Sequence, residues 1–209
     1  MDDAVQADAY ARADFAAPNA LFCERLVQHA LPEDARVLDL GCGPADIPAR
    51  LAAAYPRFQL CAVDGAAAML SLAGERLAAE GLAGRVDLVH GSLGSLELPQ
   101  GFFDVVLSNS LLHHLHDPSV LWREVALRGR SGALVQVMDL RRPPDEAAAR
   151  MLVETHAAHE PSILRRDFLA SLRAAFTPEE VAYQLRQAGL HFDIEPVGDR
   201  HVLVTGWLP

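Results

Sequence analysis

Two acids and a pair of glycines are spaced to hold a nucleotide that carries positive charge. Gly41 and Gly43 flank Cys42 directly after the apolar run of residues 36–40 and just before an amphipathic stretch. A strand running into such a turn and then a helix is a nucleotide-binding geometry, because glycine admits positive φ and lets a ligand come close to the backbone. Two neighbours narrow the choice of nucleotide. A dinucleotide site calls for a third glycine in G-x-G-x-x-G, and Asp46 stands in its place. Asp39 lies two residues before the first glycine, where a carboxylate repels a diphosphate and attracts a cation. Asp64 closes the next apolar run, and its two oxygens match the two hydroxyls of a ribose, a requirement shared by NAD and adenosyl cofactors.

Further along, His113 and His114 follow another apolar run, read as the fourth strand. A neutral imidazole takes a proton from an attacking hydroxyl, amine or thiol near neutral pH. The competing reading is that the pair caps the next helix or binds backbone. A third group, Arg141, Arg142, His156, His159, Glu160, Arg165, Arg166 and Asp167, crowds residues 141–167. Of these, Arg141, His156 and Arg165 are the candidates to bind a small polar or anionic substrate, with Tyr10 approaching from the N-terminal side. Solvated helix faces with arginine–glutamate pairs are the plainer account of the same residues. His156, His159 and Glu160 lack a further ligand, so no metal site is expected.

The elements that position these groups follow from periodicity. Apolar positions recur at helical spacing over residues 3–30, with Pro18 expected to divide two helices. Strands are expected at 36–40, 59–63, 86–89, 103–109 and 132–138, and helices at 47–55, 66–80 and 119–127. Such alternation implies a parallel sheet with helices on both faces. Pro143 and Pro144 interrupt it, and 145–159 and 163–175 read as two inserted helices. Thr177, Pro178 and Glu180 open a helix over 177–188 as N-cap, first helical residue and capping-box partner. Residues 192–195 and 201–205 form a terminal hairpin around a turn at 196–200.

Composition sets the limits. The 209 residues are 51% apolar and carry a formal net charge of −10, which suits one sizeable core and disfavours general electrostatic binding of nucleic acid or anionic membrane. All 18 basic residues are arginine, so neither a Schiff-base lysine nor a P-loop lysine is present. The three cysteines, Cys23, Cys42 and Cys61, form neither a disulfide framework nor a zinc pattern, and a reducing cytoplasm is expected. No secretory leader is read at the N-terminus.

Taken in order and spacing over residues 36–140, Val37-Leu38-Asp39-Leu40-Gly41-Cys42-Gly43-Pro44, Ala62-Val63-Asp64-Gly65 with Met69-Leu70, and the stretch from Phe103 to Leu115 resemble the class I S-adenosylmethionine-dependent methyltransferases. The resemblance implies a Rossmann-like α/β fold, a doubly wound seven-stranded sheet of order 3-2-1-4-5-7-6 with the last strand antiparallel. It implies S-adenosyl-L-methionine as cofactor. Asp39 and the backbone of Gly41, Cys42 and Gly43 would meet its methionine end, Asp64 its ribose, and Gly65 or Ala66 its adenine, with Met69 also among the cofactor-binding residues. Ser108 and Asn109 would face the amino-acid portion or the substrate. Where many members have Gly-Asp after the third strand, this chain has Gly91-Ser92, so the adenine meets either the Ser92 hydroxyl or an apolar cover from Leu93.

The expectation is therefore a single domain over 1–209, with an N-terminal helical cap at 1–35 and a helical lid at 141–176, that methylates a small molecule. His113 and His114 are its candidate catalytic residues. No nucleic-acid or membrane partner is expected, and a homodimer is compatible with the sequence. Use of the same cofactor for cyclisation or elimination, and binding without catalysis, fit the same motifs. An NAD-linked oxidoreductase is disfavoured by Asp39 and Asp46.

Overall fold

In the computed structural model, which describes residues 15–209, short apolar runs pair into one sheet. The strands are β1 (Arg36–Leu40), β2 (Gln59–Asp64), β3 (Val86–His90), β4 (Phe103–Asn109), β5 (Gly129–Leu140), β6 (Asp193–Val197) and β7 (His201–Trp207). Their order is β3-β2-β1-β4-β5-β7-β6. The first five run parallel, and β7 is antiparallel to both neighbours.

The helices are α1 (Ala16–Leu26), α2 (Asp46–Ala54), α3 (Ala67–Ala79), α4 (Ser119–Arg128), α5 (Glu146–Ala157), α6 (Ser162–Ala174) and α7 (Pro178–Gln187). Strand alternation sorts the core onto the two faces of the sheet. Val37, Val105, Leu107 and Leu134 meet Phe22 and Leu26 of α1, Leu51 of α2 and Leu77 of α3. Leu38, Val106, Val135 and Val137 meet Leu121 and Trp122 of α4 and Val181 of α7. Trp122 is wholly buried, and its indole N–H donates to Gln184 Oε1 at 3.0 Å, tying α4 to α7. The inserted helices α5 and α6 form their own apolar cluster with Leu140 at the end of β5.

Several boundaries differ from the sequence reading. Pro18 does not divide two helices: it lies in the first turn of α1, where a missing N–H breaks no helical bond. The cap residues before Phe15, Tyr10 among them, lie outside the described residues. β5 is longer than the apolar run of 132–138, because its pairing with β4 resumes at Gly129 beyond a register shift between Phe103 and Val105. β6 continues through Pro196, which sheet edges tolerate, so the turn is confined to 198–200. The α7 start is as read: Thr177 Oγ1 accepts from Glu180 N–H at 3.3 Å, and Glu180 Oε2 accepts from Thr177 N–H at 2.9 Å.

Buried ion pairs fix the loops around this frame. Arg128, almost fully buried, donates to Glu124 at 2.8 Å and to the carbonyls of Leu96 and Leu98, while Glu124 accepts from Gly94 N–H at 3.0 Å. The loop between β3 and β4 is thereby held against α4. At the same amino ends of β4 and β5, Asp104 takes Arg36 at 2.9 Å and Arg130 at 2.6 Å. Burial opposes its ionisation, but those guanidinium bonds prevail and hold the carboxyl well below the usual range.

Candidate active site

The strand order reverses between β1 and β4, and the crevice outside the carboxyl ends of strands at such a switch point is where ligands bind in open α/β sheets. A cavity of about 710 Å³ lies there, within the range of about 300–1,000 Å³ typical of small-molecule sites. Its wall draws on the ends of β1, β2, β4 and β5, on α1, and on the inserted helices.

The glycine turn forms the floor. Gly41 and Gly43 have φ of +79° and +53°, conformations that side chains disfavour. A Cβ on Gly41 would also come within 2.8 Å of the Leu111 methyls. The N–H groups of Gly41 and Cys42 both donate to Val63 O, at 2.8 and 2.9 Å. Asp64 then joins the first two strand-end loops: its Oδ2 accepts from Gly43 N–H and its Oδ1 from Ala66 N–H, each at 2.8 Å. The carboxylate keeps further lone pairs on the cavity side for hydroxyl donors. Two non-glycine residues with positive φ, Ala45 at the end of the loop after β1 and Ser110 at the start of the loop after β4, place strain beside the cavity.

Asp39 has the most unusual surroundings. It is buried on the cavity wall, and its Oδ1 has no hydrogen-bond partner among the described residues. Burial first, and the Asp64 charge second, push it up to about 7. An unpartnered buried acid beside a second acid, above a turn that bares backbone, fits a ligand bearing an ammonium or other cationic group. The cysteines are free thiols, and burial pushes Cys23 and Cys61 up to about 11 and Cys42 higher still, so none supplies a thiolate near neutrality.

A polar network ties α1 to this floor. Asn19 donates to Asp46 Oδ2 at 2.8 Å and accepts from Asn109 Nδ2 at 3.0 Å, while Arg50 and Arg76 reach Asp46 at 2.7 and 3.2 Å. Asp46, which sequence reading valued only as a missing glycine, anchors that network. Asn109 keeps a buried Oδ1 unpartnered.

Across the cavity, the short 3₁₀ turn Leu112–His114 carries the histidine pair. His113 Nδ1 lies 2.6 Å from Asp139 Oδ1, and Asp139 also accepts from the N–H groups of Leu112 and Leu140, each at 2.7 Å. A carboxylate only accepts, so the ring hydrogen is assigned to Nδ1 and Nε2 of a neutral ring is a proton acceptor. The rings of His113 and His114 are 4.0 Å apart between centroids. His114 faces the open cavity, yet the protein packed around it and its neighbour His113 push it below the usual imidazole range. Burial and then Arg200 push His201, on the same wall, down to about 4.

Of the residues singled out in sequence, the cavity wall gathers Asp39, Gly41, Cys42, Asp64, Gly65, Met69, Asn109, His113, His114 and His156. Others lie elsewhere. Gly43 is off the wall, its N–H donating to Asp64 Oδ2 beneath it. Ser108 is fully buried and donates to Leu40 O at 2.9 Å, a sheet-facing role. Arg141 donates to Asp199 O at 3.1 Å, and Arg165 pairs with Glu154, both off the wall. Alternation along β4 and helix pairing explain these departures. Ser92 and Leu93 are also off the wall, although Ser92 Oγ sits 3.8 Å from where a Gly65 Cβ would lie. Arg142 pairs with Glu180. Sequence reading missed Asn19, Asp139, Arg200 and His201. Asp139 alone carried a usable signal, an acid near the end of a strand like Asp39 and Asp64. Among the described residues no three metal-ligating side chains converge, and no helix is long and apolar enough to cross a membrane.

Residues 37–129 match a family described as a methyltransferase domain. The trans-aconitate 2-methyltransferase of Mycobacterium tuberculosis is 31% identical over 181 residues, covering 84% of this chain and 64% of that protein. The malonyl-(acyl-carrier protein) O-methyltransferase of Legionella pneumophila is 32% identical over 90 residues, covering 43% of this chain and 31% of that protein. The chain thus spans about a third and just under two thirds of the length of these curated relatives. Among solved structures, a SAM-dependent methyltransferase from Aquifex aeolicus superposes over 100% of both chains with a TM-score of 0.77 at 17% identity, a likeness of fold.

Proposed function

We propose that this chain is a class I S-adenosylmethionine-dependent methyltransferase, a reading supported by the methyltransferase-domain match over residues 37–129, and that it transfers the methyl group of S-adenosyl-L-methionine to a small molecule and releases S-adenosylhomocysteine. The observation that carries this reading is the unpartnered Asp39 carboxylate, buried above the glycine turn. It fits the cationic amino-acid end of the cofactor and repels a diphosphate.

When bound, the cofactor supplies a methyl group on an electrophilic sulfonium. The chain's residues hold and orient. Gly41, Cys42 and Gly43 give a bare turn for the methionine portion, and Asp64 offers its free lone pairs to the ribose. Gly65, Ala66 and Met69 border the adenine, with Ser92 and Leu93 behind them. Asn109 Oδ1 accepts from the amino-acid portion. His113, oriented by Asp139, presents Nε2 as the proton acceptor for an acceptor that must lose a proton, with His114 beside it as a neutral ring. Alignment by these walls supplies much of the acceleration.

The free thiols support a reducing, cytoplasmic setting. Light scattering tests whether two copies associate as a homodimer. The activity is tested by calorimetric titration with S-adenosylmethionine, S-adenosylhomocysteine and NAD, then mass analysis of the cofactor after incubation with a small-metabolite pool. Adenosyl binding with loss of the methyl group is expected. Binding of NAD alone, or a cofactor product other than S-adenosylhomocysteine, would overturn the assignment.

A further inference from the structure

The two ends of the cavity carry different groups. Its β1–β2 end carries Asp39, Asp64 and Asp46, the last paired with Arg50 and Arg76, whereas the far wall carries His113, His114, His156, His201 and Arg200 together with Glu160 and Asp167. The first end suits a cation. The second raises the question of what Arg200 is for.

Arg200 ends the β6–β7 turn directly before His201, the first residue of β7, and its side chain is 18% exposed. Arg50 and Arg76, the other arginines on the wall, are both engaged by Asp46. Arg200 is differently placed. Its contacts all use Nη1, which donates to His156 Nδ1 at 2.9 Å and to Asp199 Oδ1 at 3.2 Å; His156 Nε2, 2.8 Å away, gives its hydrogen to Asp199 and does not accept as well. Nε and Nη2 make no bond among the described residues. Asp199 Oδ2 in turn lies 2.6 Å from His156 Nε2. This arrangement fixes the guanidinium from one side and leaves two parallel donors of its fork, the geometry that a carboxylate takes in bidentate fashion.

We propose that Arg200, steadied by His156 and Asp199, forms a carboxylate-binding subsite that selects anionic acceptors; this rests on the methyltransferase reading above. A monoanionic carboxylate suits the site better than phosphate. Asp199 already offsets one positive charge, and Glu160 and Asp167 reach the same cavity, with Asp167 3.4 Å from Arg166. A dianion would meet net repulsion there. Neutral acceptors leave the Arg200 fork with nothing to bind once water is excluded.

Sequence reading assigned substrate binding to Tyr10, Arg141, His156 and Arg165. His156 is on the cavity wall, Arg141 and Arg165 are off it, and Tyr10 lies outside the described residues. Arg200 is 58 residues beyond Arg142, and only the antiparallel pairing of β7 with β5 brings it to the site.

The test uses the full chain near pH 7.5. Benzoate and acetate, each against its amide, and inorganic phosphate are titrated calorimetrically with and without saturating S-adenosylhomocysteine. At least one carboxylate is expected to bind about tenfold more tightly than its amide and than phosphate. In Arg200→Gln that ratio falls to about twofold or less while S-adenosylhomocysteine affinity holds. Arg200→Lys keeps charge without the fork and is expected to fall between. Arg57→Gln, on an exposed pair with Glu33, controls for net charge. S-adenosylhomocysteine binding with carboxylates and amides indistinguishable, or with phosphate preferred, overturns the subsite and leaves the methyltransferase reading standing. No S-adenosylhomocysteine binding but Arg200-dependent carboxylate discrimination overturns that reading and sustains the subsite. Should Arg200→Gln lose its fold by circular dichroism, the wild-type ratio and Arg200→Lys decide.

Discussion

The protonation state of Asp39 sets how cofactor affinity must vary with pH. Burial and the neighbouring Asp64 push this acid up to about 7 in the free protein. A ligand carrying an ammonium beside it binds the ionised form, so part of the intrinsic affinity is lost wherever Asp39 is protonated. With a free-state value near 7, about 3% of the acid is ionised at pH 5.5 and about half at pH 7.0. Affinity for S-adenosylhomocysteine should therefore rise about 15-fold across that interval, roughly 1.6 kcal/mol. The ligand's α-amino group stays largely protonated there, with an ordinary value of about 7.7–8.0. The stability of the free protein moves the other way. A raised folded-state value contributes stability that is fully present below the ordinary carboxyl value of about 4 and is lost as pH rises through about 7. The assay is calorimetry at half-unit steps, in two buffers of different ionisation enthalpy, which counts the protons released on binding. Asp39→Asn should flatten both the affinity slope and the proton release. A flat profile in the wild type, or an unchanged slope in Asp39→Asn, would refute the assignment of Asp39 to a cationic group.

Three further outcomes follow from other contacts. Asp64→Ala removes both the ribose acceptor and the bonds to Gly43 and Ala66, so S-adenosylhomocysteine should weaken at least about tenfold, and unchanged affinity in a folded variant would exclude Asp64 as that acceptor. Asp139→Asn should release the fixed tautomer of His113, read as a changed nitrogen-15 pattern of that ring in NMR, with kcat falling about 10–100-fold and S-adenosylhomocysteine affinity retained. Arg128→Met leaves the buried Glu124 without its counter-ion and with the Gly94 N–H as its remaining partner, which should lower the unfolding free energy in urea by about 3–5 kcal/mol.

The legible parts of this chain are those in which a physical requirement is local. Glycines 41 and 43 announce a turn because only a few successive dihedrals define it. Thr177 and Glu180 announce a helix start because the capping box closes within four residues. Strand order and its antiparallel member came from the resemblance, since alternation alone gives layers but not neighbours. Side-chain partners across the sheet were not readable. Asn109 reaches back 90 residues to Asn19 and Asp139 reaches 26 to His113, and such meetings depend on register, which no single run encodes. The lid shows the same limit. Arg141, Arg165 and His156 look alike as charged residues near one insertion, and only packing shows that His156 turns inward while the arginines turn to Asp199 O and Glu154.

The two outer strands decide how copies of this molecule can meet. An exposed sheet edge is a template for another chain's backbone, and natural edges are blunted by proline, charge or shortness. Here β6 has Pro196 beside an exposed Glu195 within five residues, and at the far margin β3 places the exposed Asp87 within its own five. A growing stack of sheets would have to bury a carboxylate at either margin and accept a missing backbone donor at one. Addition of a further strand at either margin is thereby disfavoured, while the crevice that receives small molecules lies at the strand ends, away from both edges.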